Sequence, residues 1–136
     1  MPLTELHRLA LEDKINQENI KLHLNDINTP DDEERWGSKA TMMTPLHTAL
    51  LKRNTNAICF LLAYGASVHT EFLTFRNPFE PADQWTAITY CAAKFPSTAI
   101  EILINSDGEK AEEILIKEKL LDAKIEVIKF VKSAKH

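Results

Sequence analysis

The stretch Thr44-Pro45-Leu46-His47-Thr48-Ala49, continued downstream by Leu61-Leu62-Ala63-Tyr64-Gly65-Ala66-Ser67-Val68, decides how the rest of the chain is read. Each of its residues supplies something that a pair of short helices needs. Thr44 is placed to cap a helix, its hydroxyl accepting from an amide of the first turn, and Pro45 at the first helical position presets φ while lacking only an N–H that would be unpaired there. Leu46 faces inward and Ala49 is small enough to let two helices approach. Ile58, Leu61 and Leu62 recur at helical spacing and give the second helix an apolar face. Gly65 follows the last turn of that helix, where a left-handed residue costs glycine little.

The Thr-Pro-Leu-His-x-Ala opening and the closing Gly65-Ala66 resemble one complete ankyrin repeat, a unit of about 33 residues built from a β-turn and two helices. The resemblance implies that the unit buries its apolar face by stacking on neighbours, so further units are expected on both sides. One departure is local: where the family usually has glycine between the two helices this chain has Arg53, and Asn54 beside it is expected to take the left-handed conformation.

Trp85-Thr86-Ala87-Ile88-Thr89-Tyr90-Cys91-Ala92 occupies the frame of Met43 to Leu50, with Ile100, Ile102, Leu103 and Ile104 following at the spacing of Ile58 to Leu62. Upstream, Thr4-Glu5-Leu6-His7-Arg8-Leu9-Ala10 reads as a degenerate opening, completed by Ile20, Leu22, Leu24 and Asp26-Ile27-Asn28. Downstream, Leu120 to Val131 resembles the later part of a repeat whose first helix, near Glu109 to Lys119, has no trace of the opening motif. The expected architecture is therefore an all-α ankyrin-repeat helical solenoid of about three to four helix-turn-helix units with long fingers between them. It forms a single domain over 1–136, with units near 1–28, 41–70 and 83–108 and a capping unit at 109–136.

Composition agrees with one globular domain: 136 residues, 44% of them apolar. A net charge of -4 argues against general nucleic-acid binding, because a phosphate backbone would be repelled. The start of the chain, Met1 to Leu11, carries Glu5 and Arg8 within a periodic pattern, and no long apolar run follows, so neither a signal peptide nor a membrane span is read. Cys59 and Cys91 fall in helices of adjacent units and read as buried reduced thiols of a cytoplasmic protein.

From Thr4 to Thr44 is 40 positions and from Thr44 to Thr86 is 42, each longer than the family period of about 33. The excess falls in two fingers, near Thr29 to Thr41 and Thr70 to Gln84, and such departures are where individual function is written. The first finger opens on the acidic run Asp31-Asp32-Glu33-Glu34 and ends on Trp36, Gly37, Ser38 and Lys39. It reads as a solvated loop or as a docking finger; the spacing that wraps calcium is absent. The second finger carries Phe72, Phe75, Arg76, Phe79 and Trp85 in a segment broken by Pro78 and Pro81. Two readings stay open: Phe72, Phe75 and Phe79 fold back as a satellite apolar cluster, or Phe72, Phe75, Arg76, Phe79 and Trp85 contact a partner, since aromatic residues and arginine are enriched in interface hot spots.

The resemblance further implies that positions late in each first helix line a concave face, here Leu11 and Glu12, Leu51 and Lys52, and Ala93 and Lys94. Catalysis finds no support. His7 and His47 belong to the repeat motif, which uses such a histidine to brace turns, and His23 has no cysteine or second histidine at ligand spacing. With glycine only at 37, 65 and 108 there is no phosphate-cradling loop. No cofactor or metal is expected.

Beyond Leu120, the residues Leu121, Ile125, Ile128 and Val131 form an apolar stripe. It reads as a broad buried cap, a self-association surface on an otherwise monomeric chain, or a junction to further repeats. The functional expectation is a non-catalytic module that binds a partner protein, with candidate contacts Trp36, Lys39, Leu51, Lys52, Phe72, Phe75, Arg76, Phe79, Trp85 and Lys94. The alternative is a regulatory or targeting portion of an enzyme, or of a bacterial effector delivered into a host cell, whose active part lies elsewhere; abundant Ile, Asn and Lys would suit an A·T-rich bacterial genome.

Overall fold

The computed structural model describes residues 4–31, 34–35 and 39–121, with 34–35 and 39–40 as backbone only. In chain order these form α1 (Glu5–Leu11), α2 (Gln17–Leu22), a 3-10 turn (Leu24–Asp26), β1 (Glu34–Arg35), β2 (Lys39–Ala40), α3 (Pro45–Lys52), α4 (Thr55–Ala63), β3 (Phe72–Thr74), β4 (Asp83–Trp85), α5 (Ala87–Lys94), α6 (Ala99–Asn105) and α7 (Glu109–Lys117).

The three openings read from the sequence begin three helices in the same way. Thr4, Thr44 and Thr86 are the N-caps of α1, α3 and α5, all with extended backbone. In each, the side chain three residues on reaches back to the cap. The Thr4 and Thr44 amides donate to Nδ1 of His7 (3.1 Å) and of His47 (3.0 Å), and the Thr86 amide donates to Oγ1 of Thr89 (2.8 Å). This is a capping box with histidine or threonine in the place that glutamate often takes, and it satisfies a donor that the helix itself leaves unpaired. Thr89 therefore does for α5 at the cap what His47 does for α3.

Helices α1 and α2 are joined through Asp13, α3 and α4 through Arg53, and both linking residues are left-handed, at φ 54° and 56°. The left-handed residue is thus Arg53 and not Asn54, which correction has a physical cause. Asn54 is used otherwise: its Nδ2 donates to the carbonyls of Ala10 (2.8 Å) and Leu11 (3.1 Å), capping the end of α1 from the next helix pair. Asp13 returns the contact, its Oδ1 accepting from the Ala57 amide (3.1 Å). Arg53 stays left-handed with its guanidinium over the Phe95 ring, 4.6 Å from the centroid. At the far end of α4, Gly65 at φ 100° turns the chain, and Ala66 N donates back to the Leu61 carbonyl (2.9 Å).

Helix α1 packs on α3, α3 on α4 and α5 on α6. Beyond its exposed first residues, Thr55 and Asn56, helix α4 is apolar, with Ala57 to Ala66 buried, and so needs cover all round. Part of that cover is α7, which lies along α4 and buries Ala111, Glu112 and Leu115. In a strict solenoid each repeat touches only its neighbours in the chain. Here the last described helix reaches back past α5 and α6 to the middle of the molecule, and α4 becomes its hub.

Not all of the fold is helical. Two short antiparallel hairpins, β1 with β2 and β3 with β4, form the fingers, the second in the register Phe72 opposite Trp85, Leu73 opposite Gln84 and Thr74 opposite Asp83. Backbone groups in so long an insertion need partners, and pairing the two arms supplies them. The root of the first finger is also less open than its acidic run suggests. Asp31 is buried, its amide donating to the Met43 carbonyl (2.6 Å) and its carboxylate accepting from Thr41 Oγ1 (3.3 Å). Asp32 and Glu33 lie outside the described residues.

Two substitutions at the inter-helix turn are expected to separate. Arg53→Gly relieves a left-handed conformation that costs roughly 1–2 kcal/mol and gives up a cation–π contact of about 0.5–1 kcal/mol, so stability changes by about 1 kcal/mol or less. Asn54→Ala leaves two carbonyls without their donor and costs about 1–3 kcal/mol in urea unfolding. Equal losses in the two variants would contradict this division of labour.

Candidate functional site

The second finger is fixed at its root and open at its tip. At the root, Phe72 is fully buried. Its ring stacks on His47 at 4.1 Å between centroids and 24° between planes, and meets Tyr90 at 5.5 Å. Tyr90 in turn touches Trp85 (5.4 Å) and Phe95 (5.7 Å) edge to face. An aromatic line thus runs from α3 through the finger to α5, in offset and edge-on geometries that ring quadrupoles favour. Backbone adds one strut: the Leu73 amide donates to the Thr41 carbonyl (2.7 Å), tying the root of the second finger to that of the first.

His47 is the pivot of this arrangement. Because the Thr44 amide donates to its Nδ1, the ring proton sits on Nε2. In His7 the same tautomer lets Nε2 donate to the Met43 carbonyl at 2.7 Å, which bolts α1 to the start of α3. His47 Nε2 has no hydrogen-bond partner among the described residues. Burial pushes its pKa from 6.5 down to about 3, opposed by the Thr70 carbonyl, which favours the protonated ring without meeting the geometry of a hydrogen bond. The ring is therefore neutral at pH 7, with Nδ1 occupied by the Thr44 amide, and presents an aromatic surface to Phe72.

Along its sides the finger is polar, and at its tip it is bare. Trp85 is half-buried, with its Nε1 donating to Thr74 Oγ1 across the hairpin (2.9 Å) and the Lys94 ammonium 5.7 Å from its ring. Gln84 and Glu71 are bonded to each other on the outer side. Arg76 is exposed and pairs with Glu80 (3.3 Å) and Asp83 (3.5 Å). Phe79, at the turn, is 92% exposed.

The residues predicted from sequence are thus distributed unequally. Phe72 faces the interior and Trp85 is half-sunk against Tyr90, while Phe79 stands in solvent. Phe75 is half-buried. Lys52 and Lys94 are exposed at the C-terminal ends of α3 and α5, and Leu51 is half-buried beside Lys52. Lys39 is described only as backbone of β2, and Trp36 lies outside the described residues. The apolar stripe from Ile125 to Val131 lies outside them as well; Leu121, at its start, is buried. Sequence reasoning missed Tyr90, the link between the finger and α5. Its place in the frame of the motif, one position after Thr89, was the available signal.

Among the described residues no cluster of three or more histidine, cysteine or acidic side chains has metal-binding geometry, and no helix is long and apolar enough to cross a membrane. Burial pushes the thiols of Cys59 and Cys91 up to about 11, with the nearby Glu118 and Glu101 carboxylates acting in the same direction, so both are protonated at neutral pH.

Comparison with known proteins agrees with the geometry. Residues 41–70 match the family model described as Ankyrin repeat. The match covers the segment that holds α3 and α4, which is thus similar to an ankyrin repeat, a class of unit that generally serves protein–protein interaction and is typically non-catalytic. No curated protein and no solved structure matches the chain.

The buried neutral His47 gives a pH dependence of known sign. Between about pH 3 and 6.5 the unfolded chain holds a proton at this residue that the folded chain excludes, so the stability contributed is complete at pH 7 and falls as the pH drops through 6.5. From pH 7 to 5.5 this one group is expected to remove roughly 1.3 kcal/mol. Urea unfolding of the wild type and of His47→Gln at both pH values checks it: the variant should lose less by about that amount, and parallel losses would contradict the assignment.

Proposed function

We propose that the chain is a non-catalytic module that binds a partner protein through one side of the molecule, using the second finger together with the exposed ends of α3 and α5. The observation that carries this reading is the contrast within one hairpin: its root is sunk against His47 and Tyr90, while its tip presents Phe79 almost wholly to solvent. A rigid root with a bare aromatic tip loses little conformational entropy when it docks. Lys52 and Lys94 stand on the same helix ends that the resemblance assigns to a binding face, with Leu51 as a partly covered apolar neighbour. Trp36 and Lys39 of the first finger join this face in the proposal.

In this reading the units are those at 1–28, 41–70, 83–108 and 109–136, acting as one scaffold in a cytoplasmic, monomeric protein. The net charge of -4 favours a protein partner over nucleic acid, and the protonated buried thiols suit a reducing compartment.

An affinity pull-down tests the reading with three chains: wild type, a variant with residues 75–82 replaced by Asn-Gly, and Lys52→Glu combined with Lys94→Glu. Partners identified by mass spectrometry should be lost from at least one variant, with circular dichroism and melting temperature close to wild type. The same set of proteins retained by all three chains would reject the proposed surface.

A further inference from the structure

The tip of the second finger is more than an exposed ring. Asn77 Oδ1 accepts from two backbone amides at once, those of Phe79 (2.8 Å) and Glu80 (3.0 Å). Between them Pro78 presets φ at the second position of the turn. Arg76 then braces the turn by pairing with Glu80 from its far side and Asp83 from the returning strand. The side-chain acceptor, the fixed φ and the ion pairs all act on a segment at whose apex Phe79 points outward, 92% exposed. An exposed ring gains nothing from the fold, so at the apex of a braced turn it is left free for contact from outside.

We propose that Asn77-Pro78-Phe79-Glu80 is a preformed recognition turn that inserts the Phe79 ring into a phenyl-sized apolar pocket, rimmed by basic side chains, on a partner protein. The proposal rests on reading the chain as a protein-binding module and specifies the partner's chemistry. A single aromatic anchor held in its bound shape matches the pattern of interface hot spots, in which one buried ring dominates and its surroundings exclude water. The basic rim follows from charge. At the turn itself the two carboxylates of Glu80 and Asp83 stand against the single Arg76 guanidinium that pairs with both, and the chain as a whole carries -4. The same charge disfavours an anionic lipid surface as the receiver of the ring.

The test uses the full chain, labelled with a fluorophore, on an array of purified peptide-recognition domains that differ in pocket size and rim charge, beside anionic lipid vesicles. The expected result is capture by domains with an apolar pocket and basic rim. Phe79→Ala and Asn77→Ala should each weaken that capture at least tenfold, the first by removing the anchor and the second by releasing the turn. Melting temperature should stay at the wild-type value for Phe79→Ala, which separates lost contact from lost fold. Capture unchanged by Phe79→Ala, capture by no domain, or vesicle binding that depends on Phe79 would each overturn the proposal. If capture is unaffected by Phe79→Ala but disappears with Lys52→Glu, the tip proposal fails while the module reading stands; if neither substitution affects any captured protein, both fail.

Discussion

The face-to-face contact between His47 and Phe72 is the interaction on which the rest of the structure depends. It is possible only because several conditions coincide. The Thr44 amide occupies Nδ1, which fixes the tautomer and the plane of the imidazole. Burial keeps the ring uncharged, and a neutral ring accepts an apolar neighbour without a desolvated charge in the way. Phe72 is the first residue of β3, so anchoring its ring fixes where the second finger leaves the repeat. Through Tyr90 the same contact sets the approach of α5. His7, in the equivalent place of the preceding helix pair, uses the same tautomer to make a hydrogen bond to the Met43 carbonyl. One motif histidine joins its successor by a hydrogen bond and the other by stacking, each across a finger inserted between the helix pairs.

In the proposed reading, function follows from that mechanical arrangement more than from any chemical group. The histidine is too deeply buried to titrate at neutral pH, and the two cysteines are held as thiols. What remains available to solvent is shape: a hairpin whose root is immobilised by aromatic packing and whose apex holds Phe79 on a turn locked by Asn77. The surface ion pairs near α1, where Arg8 holds the Glu5 and Glu12 carboxyls below their usual range, are exposed and contribute little to stability.

Much of this was legible in the sequence, and the limits have physical reasons. Thr44 through Val68 fixed the repeat because caps, prolines and closing glycines act within a turn or two of themselves, so local sequence suffices to read them. The equivalence of Thr4, Thr44 and Thr86 was legible for the same reason, and each caps its helix. Arg53 was misjudged in favour of Asn54, since intrinsic preference for the left-handed region was overridden by a tertiary use of the Asn54 amide on α1. The reach of α7 back to α4 was not read, although Cys59 and Phe60 extend the apolar surface of α4 beyond the face that Ile58, Leu61 and Leu62 require. In the candidate site, composition alone could not divide Phe72 from Phe79. Both are phenylalanines in one loop, and only the pairing of β3 with β4 decides that one lies at the root and the other at the tip.

A double-mutant cycle between His47 and Phe72 tests the central claim most directly. Unfolding in urea at pH 7 would be measured for wild type, His47→Gln, Phe72→Leu and the double variant. If the two rings hold the finger by direct stacking, the cycle should return a coupling of about 0.5–1.5 kcal/mol. Losses that simply add, to within about 0.3 kcal/mol, would show that Phe72 is held by burial alone and would contradict the account.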